Sequence, residues 1–246
     1  MDYRNIVLTL KYDGAAFHGW QTQPNGITVQ QCMTEAARQI TNDEVRITGC
    51  SRTDAGVHAN MFVCTLKSQT RIPCDRLKGA FNAILPDSIA VTDCRDADIA
   101  FHPRYDCKKK TYKYIIWNGT ERNPFLVNRA YYYKYEIDEK ILDKQAHDFI
   151  GTYDFSALCA SASTVEDKTR TVYGARVERQ GDIVVFTFCG NGFLYNMVRI
   201  MTGTLLDIGS GRIPVNTIKD IILSKDRSRA GITVPAHGLY LDRVEY

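Results

Sequence analysis

The sequence predicts an α+β fold of two lobes, in which helices pack on a largely antiparallel or mixed sheet. Strand-like and helix-like patterns alternate irregularly along the 246 residues, without the regular strand–helix rhythm of a parallel sheet. The length suffices for two small domains, and a hydrophobic fraction of 44% with 24% charged residues is ordinary for a globular protein. We place the boundary near residues 100–110, which gives lobes 1–107 and 108–246.

The first lobe contains four predicted strands and two predicted helices. Alternating apolar and polar residues or short apolar runs predict strands at residues 5–12, 45–49, 61–66 and 88–95. Apolar residues at helical spacing predict helices after Thr28 and over residues 75–84. Thr28 is a candidate N-cap, and Pro86 excludes helical backbone at the residue before it.

The second lobe continues the same mixture. Strands are predicted at residues 111–117 and 130–135, as a hairpin of residues 176–179 and 182–188, and at residues 238–244. Helices are predicted at residues 138–150, 193–208 and 215–223, with Asp138 as an N-cap and Pro214 in the first turn of the last helix. The polar stretch 159–168 is expected to be a loop.

Composition argues against several classes of protein. The eight cysteines are scattered without a C-x-x-C pair, so neither a disulfide framework nor a zinc site is expected. No apolar run is long enough to span a bilayer, and the N-terminus lacks a basic segment followed by an apolar one, so we expect no membrane association and a cytoplasmic location. Residues 1–107 carry a net charge of −1 and residues 108–246 a net charge of +4, which is weak evidence for a polyanionic partner.

The segment G-C-S-R-T-D-A-G-V-H-A, residues 49–59, lies between two predicted strands. Polar residues on a loop held by a rigid scaffold are where catalytic groups concentrate, and Asp54 has a cation, Arg52, two positions away. Taken alone, Asp54 could equally be a turn or capping aspartate. His58 could likewise be a general base or a loop histidine bonded to the backbone.

This segment resembles the catalytic signature of the bacterial tRNA pseudouridine synthase A family, and further motifs match that family in order. They are F-H-P-R-Y-D-C-K-K-K-T-Y-K-Y at residues 101–114, T-R-T-V-Y-G-A-R-V at 169–177, G-F-L-Y-N-M-V-R-I-M-T-G-T-L at 192–205 and V-P-A-H-G-L-Y-L at 234–241. The resemblance covers essentially the whole chain. It departs at Tyr153, where the family pattern has a histidine.

The resemblance implies roles for individual residues. Asp54 would be the nucleophile and Arg199 the partner of its carboxylate. Tyr112 would stack on the target base and Leu239 would wall the uracil pocket. The remaining basic candidates for RNA contact are Arg52, which would flip the nucleotide or hold its phosphate, Arg104 and Lys110.

Residue chemistry is consistent with these roles but leaves alternatives open. Isomerising uridine breaks a C–N bond and forms a C–C bond to the same sugar carbon, so no cofactor or metal is expected. A carboxylate can attack the sugar or remove its 2′ proton, and a nearby arginine keeps that carboxylate ionised. On a helix over residues 193–208, Tyr195 and Arg199 would share a face, and Arg199 could also reach solvent. Tyr112 could be an ordinary core tyrosine.

The family resemblance further implies two ferredoxin-like lobes that form an extended sheet with a basic central cleft. It implies a homodimer that binds the anticodon stem-loop of tRNA and modifies uridines at positions 38–40. The principal alternative is a non-catalytic RNA-binding module, since sheets with surface aromatics bind single-stranded RNA. A glycosidase would need a second carboxylate, which the matched motifs do not supply. A family member acting on other RNAs also remains open.

Overall fold

The structure is a computed structural model that describes residues 3–246 and divides them into two units. The first unit comprises the described residues up to Lys108 together with Leu241–Tyr246, and the second comprises Lys109–Tyr240. The division lies one residue beyond the boundary expected from the sequence. It also differs in where the last six residues belong, since they join the first unit rather than the second.

The α+β class predicted from the sequence is confirmed, because residues 3–246 form ten strands and five α-helices. The first unit contains β1 (Arg4–Tyr12), α1 (Val29–Thr41), β2 (Arg46–Gly49), β3 (His58–Ser68), α2 (Cys74–Ile84) and β4 (Ile89–Ala97). The second contains β5 (Lys109–Trp117), β6 (Tyr131–Tyr132), α3 (Glu139–Ala146), β7 (Gly151–Asp154), β8 (Thr169–Gln180), β9 (Ile183–Gly190), α4 (Met197–Gly209) and α5 (Ile218–Ser224). The last strand, β10 (Leu239–Glu245), runs from the second unit into the first.

The first unit has the strand order of a ferredoxin-like fold. β1 lies between β4 and β3, and β2 pairs with the outer edge of β3, all antiparallel, with α1 and α2 connecting the strands. Thr28 caps α1 as predicted, since its side chain accepts a hydrogen bond from the Gln31 amide at 3.3 Å. Fully buried Leu77 and Phe81 place one face of α2 in the core.

The second unit is built on the antiparallel order β5-β9-β8-β7, with the two residues of β6 parallel to the end of β5. The burial of β5 alternates strictly, so every second side chain, including Tyr112 and Tyr114, lies on the buried face. Nearly all of α4 is buried, which identifies it as the core helix of this unit. Asp138 caps α3 as predicted.

Two predicted helices of the second unit begin later in the chain than expected. The core helix begins at Met197 rather than residue 193 because Asn196 adopts a left-handed backbone (φ 59°) that a continuous helix excludes. Tyr195 therefore precedes α4, and the shared helical face proposed for Tyr195 and Arg199 does not exist. The last helix begins at Ile218, beyond the left-handed Asn216 (φ 60°), so Pro214 is outside it.

Two strands also differ from the sequence prediction. The strand expected over residues 130–135 is reduced to β6, because Asn118 bonds the carbonyls of Tyr133 and Tyr135 and those groups cannot join a ladder. β7 was not predicted at all, since its four residues alternate too briefly to give a signal. Among the described residues, no helix is long and apolar enough to cross a membrane.

Candidate active site

Residues 50–57, here called the Asp54 loop, connect β2 to β3 in the first unit. Along this loop Arg52 is exposed, Asp54 is half-buried, and Thr53 between them has only 8% of its surface exposed. Asp54 thus follows a buried threonine that fixes the backbone, and a cationic side chain that reaches solvent lies two residues before it. A half-buried carboxylate in this setting is positioned by the protein and accessible to a ligand.

The Asp54 loop is held by residues 12–20, here called the clamp segment. The Thr53 carbonyl accepts a hydrogen bond from the Trp20 amide at 3.1 Å, and the Gly56 amide donates to the Phe17 carbonyl at 3.2 Å. The hydroxyls of Tyr12 and Thr53 are 2.9 Å apart and buried. These contacts join segments about 40 residues apart in sequence, so they immobilise the residues on both sides of Asp54.

Two glycines of the clamp segment allow this close approach. A Cβ atom at Gly19 would clash with the Thr53 carbonyl oxygen and lie 3.0 Å from the Asp54 carbonyl carbon, and Gly19 has φ +82°. A Cβ atom at Gly14 would clash with the Val57 carbonyl oxygen. Both positions therefore require glycine for contact with the loop, and Gly19 also requires it for backbone conformation.

His58, the first residue of β3, closes the end of the loop and is 2% exposed. Its Nδ1 atom accepts a hydrogen bond from the Gly14 amide at 3.0 Å and lies 3.1 Å from Asp13 Oδ1. To accept this hydrogen bond, Nδ1 must present a lone pair rather than a hydrogen. The same nitrogen therefore cannot also donate a hydrogen to Asp13 Oδ1. Of the two interpretations left open by the sequence, the backbone-bonded histidine matches this geometry.

Two aromatic residues of the clamp segment pack against the ring of Phe62 on β3. The Trp20 and Phe62 rings are stacked with centroids 4.1 Å apart, and Tyr12 meets Phe62 at 5.7 Å. A Cβ atom at Gly49 would lie 2.6 Å from the Trp20 indole, so Gly49 makes room for this stack. The sequence analysis missed the clamp residues Tyr12, Gly14, Gly19 and Trp20. Gly14 and Gly19 were the available sequence signal for this contact, but the residues that they approach, Val57 and Thr53, are distant in the sequence.

Arg104 lies in a separate, exposed turn of the first unit, residues 102–106. Within the turn, His102 Nδ1 accepts from the Arg104 amide at 3.1 Å, and the His102 amide donates to Asp106 Oδ2 at 2.8 Å. From outside the turn, the Tyr246 hydroxyl donates to the Pro103 carbonyl at 2.8 Å. Tyr105 is 75% exposed, and the Arg104 guanidinium lies 5.8 Å from its ring centroid. The sequence analysis did not single out Tyr105, although an exposed aromatic beside a cation is a typical nucleic-acid contact.

Lys110 and Tyr112 lie two residues apart on the buried face of β5 in the second unit. Lys110 is 8% exposed and Tyr112 is 7% exposed. The Tyr112 ring meets Phe193 edge to face, with centroids 5.3 Å apart. Lys110, a candidate for RNA contact, is thus buried by its position on the strand, whereas Lys108 two residues earlier is exposed.

Arg199 is half-buried in the first turn of α4. Its Nε atom donates to the Val234 carbonyl at 2.7 Å, and its Nη1 atom donates to Asn196 Oδ1 at 2.8 Å. The left-handed Asn196 places its side-chain oxygen within reach of this guanidinium. These two acceptors, the Val234 carbonyl and Asn196 Oδ1, fix the orientation of the planar guanidinium.

Leu239 is joined to Arg199 through the segment of residues 234–239. The Tyr114 hydroxyl donates to the Pro235 carbonyl at 2.7 Å, next to the Val234 carbonyl that Arg199 binds. Gly238 packs against the Tyr114 ring, since a Cβ atom there would lie 2.6 Å from Tyr114 Cζ. Leu239 follows directly and is buried. Burial raises the pKa of the Tyr114 hydroxyl well above its usual value, and the nearby Arg199 charge opposes this only partly.

The described part of the chain contains no group of three or more His, Cys, Asp or Glu side chains that could hold a metal ion. Within the first unit, the structure brings together Asp54 and Arg52 on one loop, with Arg104 on a different turn. Within the second, it brings together Lys110 and Tyr112 on β5, and Arg199 and Leu239 through residues 234–239.

Comparison with known proteins gives a consistent family. The family model described as "tRNA pseudouridine synthase" matches residues 9–106 and 146–246. A "tRNA pseudouridine synthase A" of Thermoanaerobacter sp. (strain X514) is 44% identical over 243 residues, covering 99% of this chain and 100% of that protein. The protein of the same name from Caldicellulosiruptor bescii is 42% identical with the same coverage.

Among solved structures, the chain is similar to "Crystal Structure of a Cbf5-Nop10-Gar1 Complex" with a TM-score of 0.35 and 14% identity. The match covers 80% of this chain and 43% of that chain. At this score the similarity does not establish a shared fold.

Proposed function

The chain belongs to the tRNA pseudouridine synthase family, and from this membership we propose that it isomerises uridine to pseudouridine in tRNA. The reaction detaches uracil from its sugar at a C–N bond and reattaches it through a C–C bond. It is redox-neutral and transfers no group from a donor. The protein must therefore supply a nucleophile or base, a pocket that holds the detached uracil, and contacts that extrude the nucleotide from the RNA.

Asp54 is the proposed catalytic carboxylate. The observation that carries this assignment is the way its loop is held, with Thr53 bonded to Tyr12 and Trp20 while Asp54 itself stays half-buried. A nucleophile must meet the sugar carbon within a few tenths of an ångström, which requires fixed backbone on both sides. Whether Asp54 attacks the sugar or removes its 2′ proton, the same positioning serves.

The second unit supplies the other proposed catalytic groups. Arg199 would support the Asp54 carboxylate, for which a guanidinium oriented by Val234 and Asn196 is suited because it pairs with carboxylates in a defined plane. Tyr112 would stack on the target base, and Leu239 would wall the uracil pocket. Both side chains are buried apolar surfaces of the kind that hold an extruded base.

Three basic residues are proposed to contact RNA. Arg52 and Arg104 are exposed, as contacts to phosphate require, and Arg52 lies on the same loop as Asp54. Lys110 is buried, so its contribution would be a charge fixed near the base rather than a mobile surface contact. Binding should weaken steeply with salt, because phosphate contacts release counterions from the RNA.

We further propose that the substrate region is the anticodon stem-loop, with uridines at positions 38–40 as targets, and that the working protein is a cytoplasmic homodimer. The support is the similarity to the tRNA pseudouridine synthase A proteins over 99% of the chain. Replacing the uridines of a tRNA one at a time identifies the target positions. Sedimentation equilibrium tests the dimer, which requires about twice the chain mass of 27.9 kDa.

The test of the function is the release of tritium from tRNA that carries uridine labelled at C5, since C5 loses its hydrogen when it becomes bonded to the sugar. We expect wild type to release tritium and Asp54→Asn to be slower by at least about 10³-fold, because the amide is neither nucleophile nor base. Binding of the tRNA should change little.

The matched control is Asp93→Asn, which removes a carboxylate from an exposed position on β4. It should release tritium at the wild-type rate. Release by neither wild type nor Asp93→Asn, with tRNA binding intact, would overturn the enzymatic proposal in favour of an RNA-binding module. Equal release by wild type and Asp54→Asn would retain the activity but reject Asp54 as its catalyst.

A further inference from the structure

Two half-exposed cysteines of the first unit meet between α2 and β4, far in sequence from the Asp54 loop. Cys74 is the first residue of α2, and Cys94 lies in the middle of β4. The neighbouring Cys74 thiol contributes to raising the pKa of the Cys94 thiol, as expected for two side chains in proximity. Both are reduced in the structure, and neither belongs to the motifs that carry the catalytic assignment.

The packing of α2 on β4 accounts for this pairing. The Asn82 side chain near the end of α2 makes two hydrogen bonds with the Val91 backbone, at 2.8 and 2.9 Å. At the other end, Cys74 Sγ lies 3.7 Å from Asp96 Oδ2. The helix and the strand are therefore antiparallel neighbours. Along β4, Cys94 lies roughly 10 Å from Val91, close to the roughly 12 Å that separates Cys74 from Asn82 on the helix.

Charged groups surround Cys74. The Arg4 guanidinium places Nη2 at 3.8 Å from Cys74 Sγ and binds Asp96 through two nitrogens, at 2.8 and 3.0 Å from Oδ1. Arg4 Nη1 donates to the Thr70 and Ile72 carbonyls, both at 2.9 Å, which fixes the guanidinium beside the sulfur. The Cys74 sulfur is therefore held beside the Arg4–Asp96 ion pair at a half-exposed position, where an oxidant in solution can reach it.

Cys94 is in a different setting. Burial raises the pKa of the Cys94 thiol well above its usual value, and the neighbouring Cys74 acts in the same direction. Cys94 therefore remains a neutral thiol at neutral pH. Cys94 is therefore suited to react second, with the oxidised product of Cys74.

Neighbouring cysteines are excluded as partners by distance or burial. In the sheet register, Cys64 on β3 and Cys94 on β4 lie opposite Leu8 from its two sides. Two strand spacings separate their backbones by roughly 9.6 Å, whereas disulfides need Cα atoms within about 7 Å. Cys50 and Cys64 are both fully buried, so an oxidant in solution does not reach them.

From this geometry we propose that Cys74 and Cys94 are a site of reversible oxidation, in which a peroxide converts the thiol pair to a disulfide linking α2 to β4. The Cys74 sulfur attacks one peroxide oxygen and breaks the O–O bond, giving a sulfenic acid and one water. The Cys94 sulfur then attacks the Cys74 sulfur, forming the S–S bond and releasing a second water. The two thiols lose two electrons and two protons, which hydrogen peroxide accepts. A dithiol reductant reverses the reaction.

The site is remote from the clamp segment, so the disulfide should alter stability rather than catalysis. Closing the segment between residues 74 and 94 restricts the unfolded chain. The oxidised protein should therefore unfold at a higher urea concentration than the reduced protein. Tritium release by the two forms should be the same.

The test treats the reduced full-length protein with hydrogen peroxide, blocks remaining thiols with N-ethylmaleimide, and maps peptides by mass spectrometry without reduction. We expect a linked peptide pair containing Cys74 and Cys94, with the thiols titrated in denaturant falling by two from the eight of the reduced chain. Dithiothreitol should restore all of them and abolish the shift in urea midpoint.

Cys94→Ser should show neither the linked peptide nor the stability shift, whereas Cys32→Ser, a half-exposed cysteine on α1, should behave as wild type. Three outcomes would overturn the proposal: an undiminished thiol count, a linkage between other cysteines, or conversion of Cys74 to sulfinic acid without a linked peptide. The peptide map of wild type is decisive even where a serine variant folds poorly.

Discussion

The Asp54 loop and the Arg104 turn are both polar segments of the first unit, but the protein holds them in different ways. The Asp54 loop is bonded to the clamp segment through buried partners such as Tyr12 and Trp20. The Arg104 turn is bonded mainly within itself, through His102 and Asp106, and Arg104 itself is exposed. Its one described side-chain bond from outside is that of the Tyr246 hydroxyl to the Pro103 carbonyl. A reacting carboxylate requires a fixed position, whereas a phosphate contact can adapt to its partner. The difference in anchoring therefore separates a candidate for chemistry from a candidate for binding.

The largest effect after loss of Asp54 itself should come from Gly19→Ala. The new Cβ atom would clash with the Thr53 carbonyl at a residue with φ +82°, so the clamp segment and the loop must separate. We expect a loss of stability of about 2–4 kcal/mol and a fall in turnover of about 100-fold or more. Urea unfolding and single-turnover tritium release measure the two effects.

The matched control is Gly211→Ala, because Gly211 has a similar φ of +75° but nothing within 4 Å of its added Cβ. This variant should lose only about 1–2 kcal/mol, the cost of a left-handed alanine, with wild-type turnover. Equal turnover in the two alanine variants would mean that contact with the clamp segment does not position Asp54.

Tyr12→Phe should have a smaller effect, since it removes one hydroxyl and keeps the aromatic stack. The Thr53 hydroxyl would lose its buried partner, which costs about 1–3 kcal/mol of stability. We expect turnover to fall several-fold while KM for tRNA stays constant, because Tyr12 contacts the loop rather than the RNA. Tyr132→Phe, which removes an exposed hydroxyl bond to the Thr120 carbonyl, should change neither quantity. A rise in KM without a change in turnover would show that Tyr12 acts in binding instead.

The smallest effect should follow from Arg104→Ala. Removing one adaptable phosphate contact should weaken tRNA binding several-fold, and should lower the slope of log affinity against log salt by about one. Turnover at saturating tRNA should stay at the wild-type value. Arg76→Ala, which removes an exposed arginine on α2, serves as the control and should leave the salt dependence unchanged. An unchanged slope for Arg104→Ala would remove Arg104 from the RNA interface.

Features with local causes were predictable from the sequence. Thr28 and Asp138 were identified as helix caps because a capping side chain bonds an amide two or three residues away. The hairpin of β8 and β9 was expected from alternation on both sides of Gly181, but β8 begins at Thr169 rather than at residue 176. The motif around Asp54 identified the family, but motif recognition does not reveal what holds that loop in place.

Features with remote causes were not predictable in the same way. The glycine requirement at Gly19 depends on the Thr53 carbonyl, and the role of Tyr12 depends on the Thr53 hydroxyl. The start of α4 depends on Asn196, whose left-handed backbone accompanies its bond to Arg199. Lys110 was singled out only as a basic candidate for RNA contact, and its burial follows from its register on β5. Each of these needs the folded arrangement of distant segments.

The most direct test of the central claim measures tRNA affinity and single-turnover tritium release side by side for wild type, Asp54→Asn and Arg104→Ala. We expect Asp54→Asn to bind tRNA as wild type does and to lose at least about 10³-fold in the rate of release. Arg104→Ala should bind several-fold more weakly and react at the wild-type rate once bound. An Asp54→Asn protein that reacts normally, or whose loss of activity is explained by weaker binding alone, would contradict the assignment of Asp54 as the catalytic group.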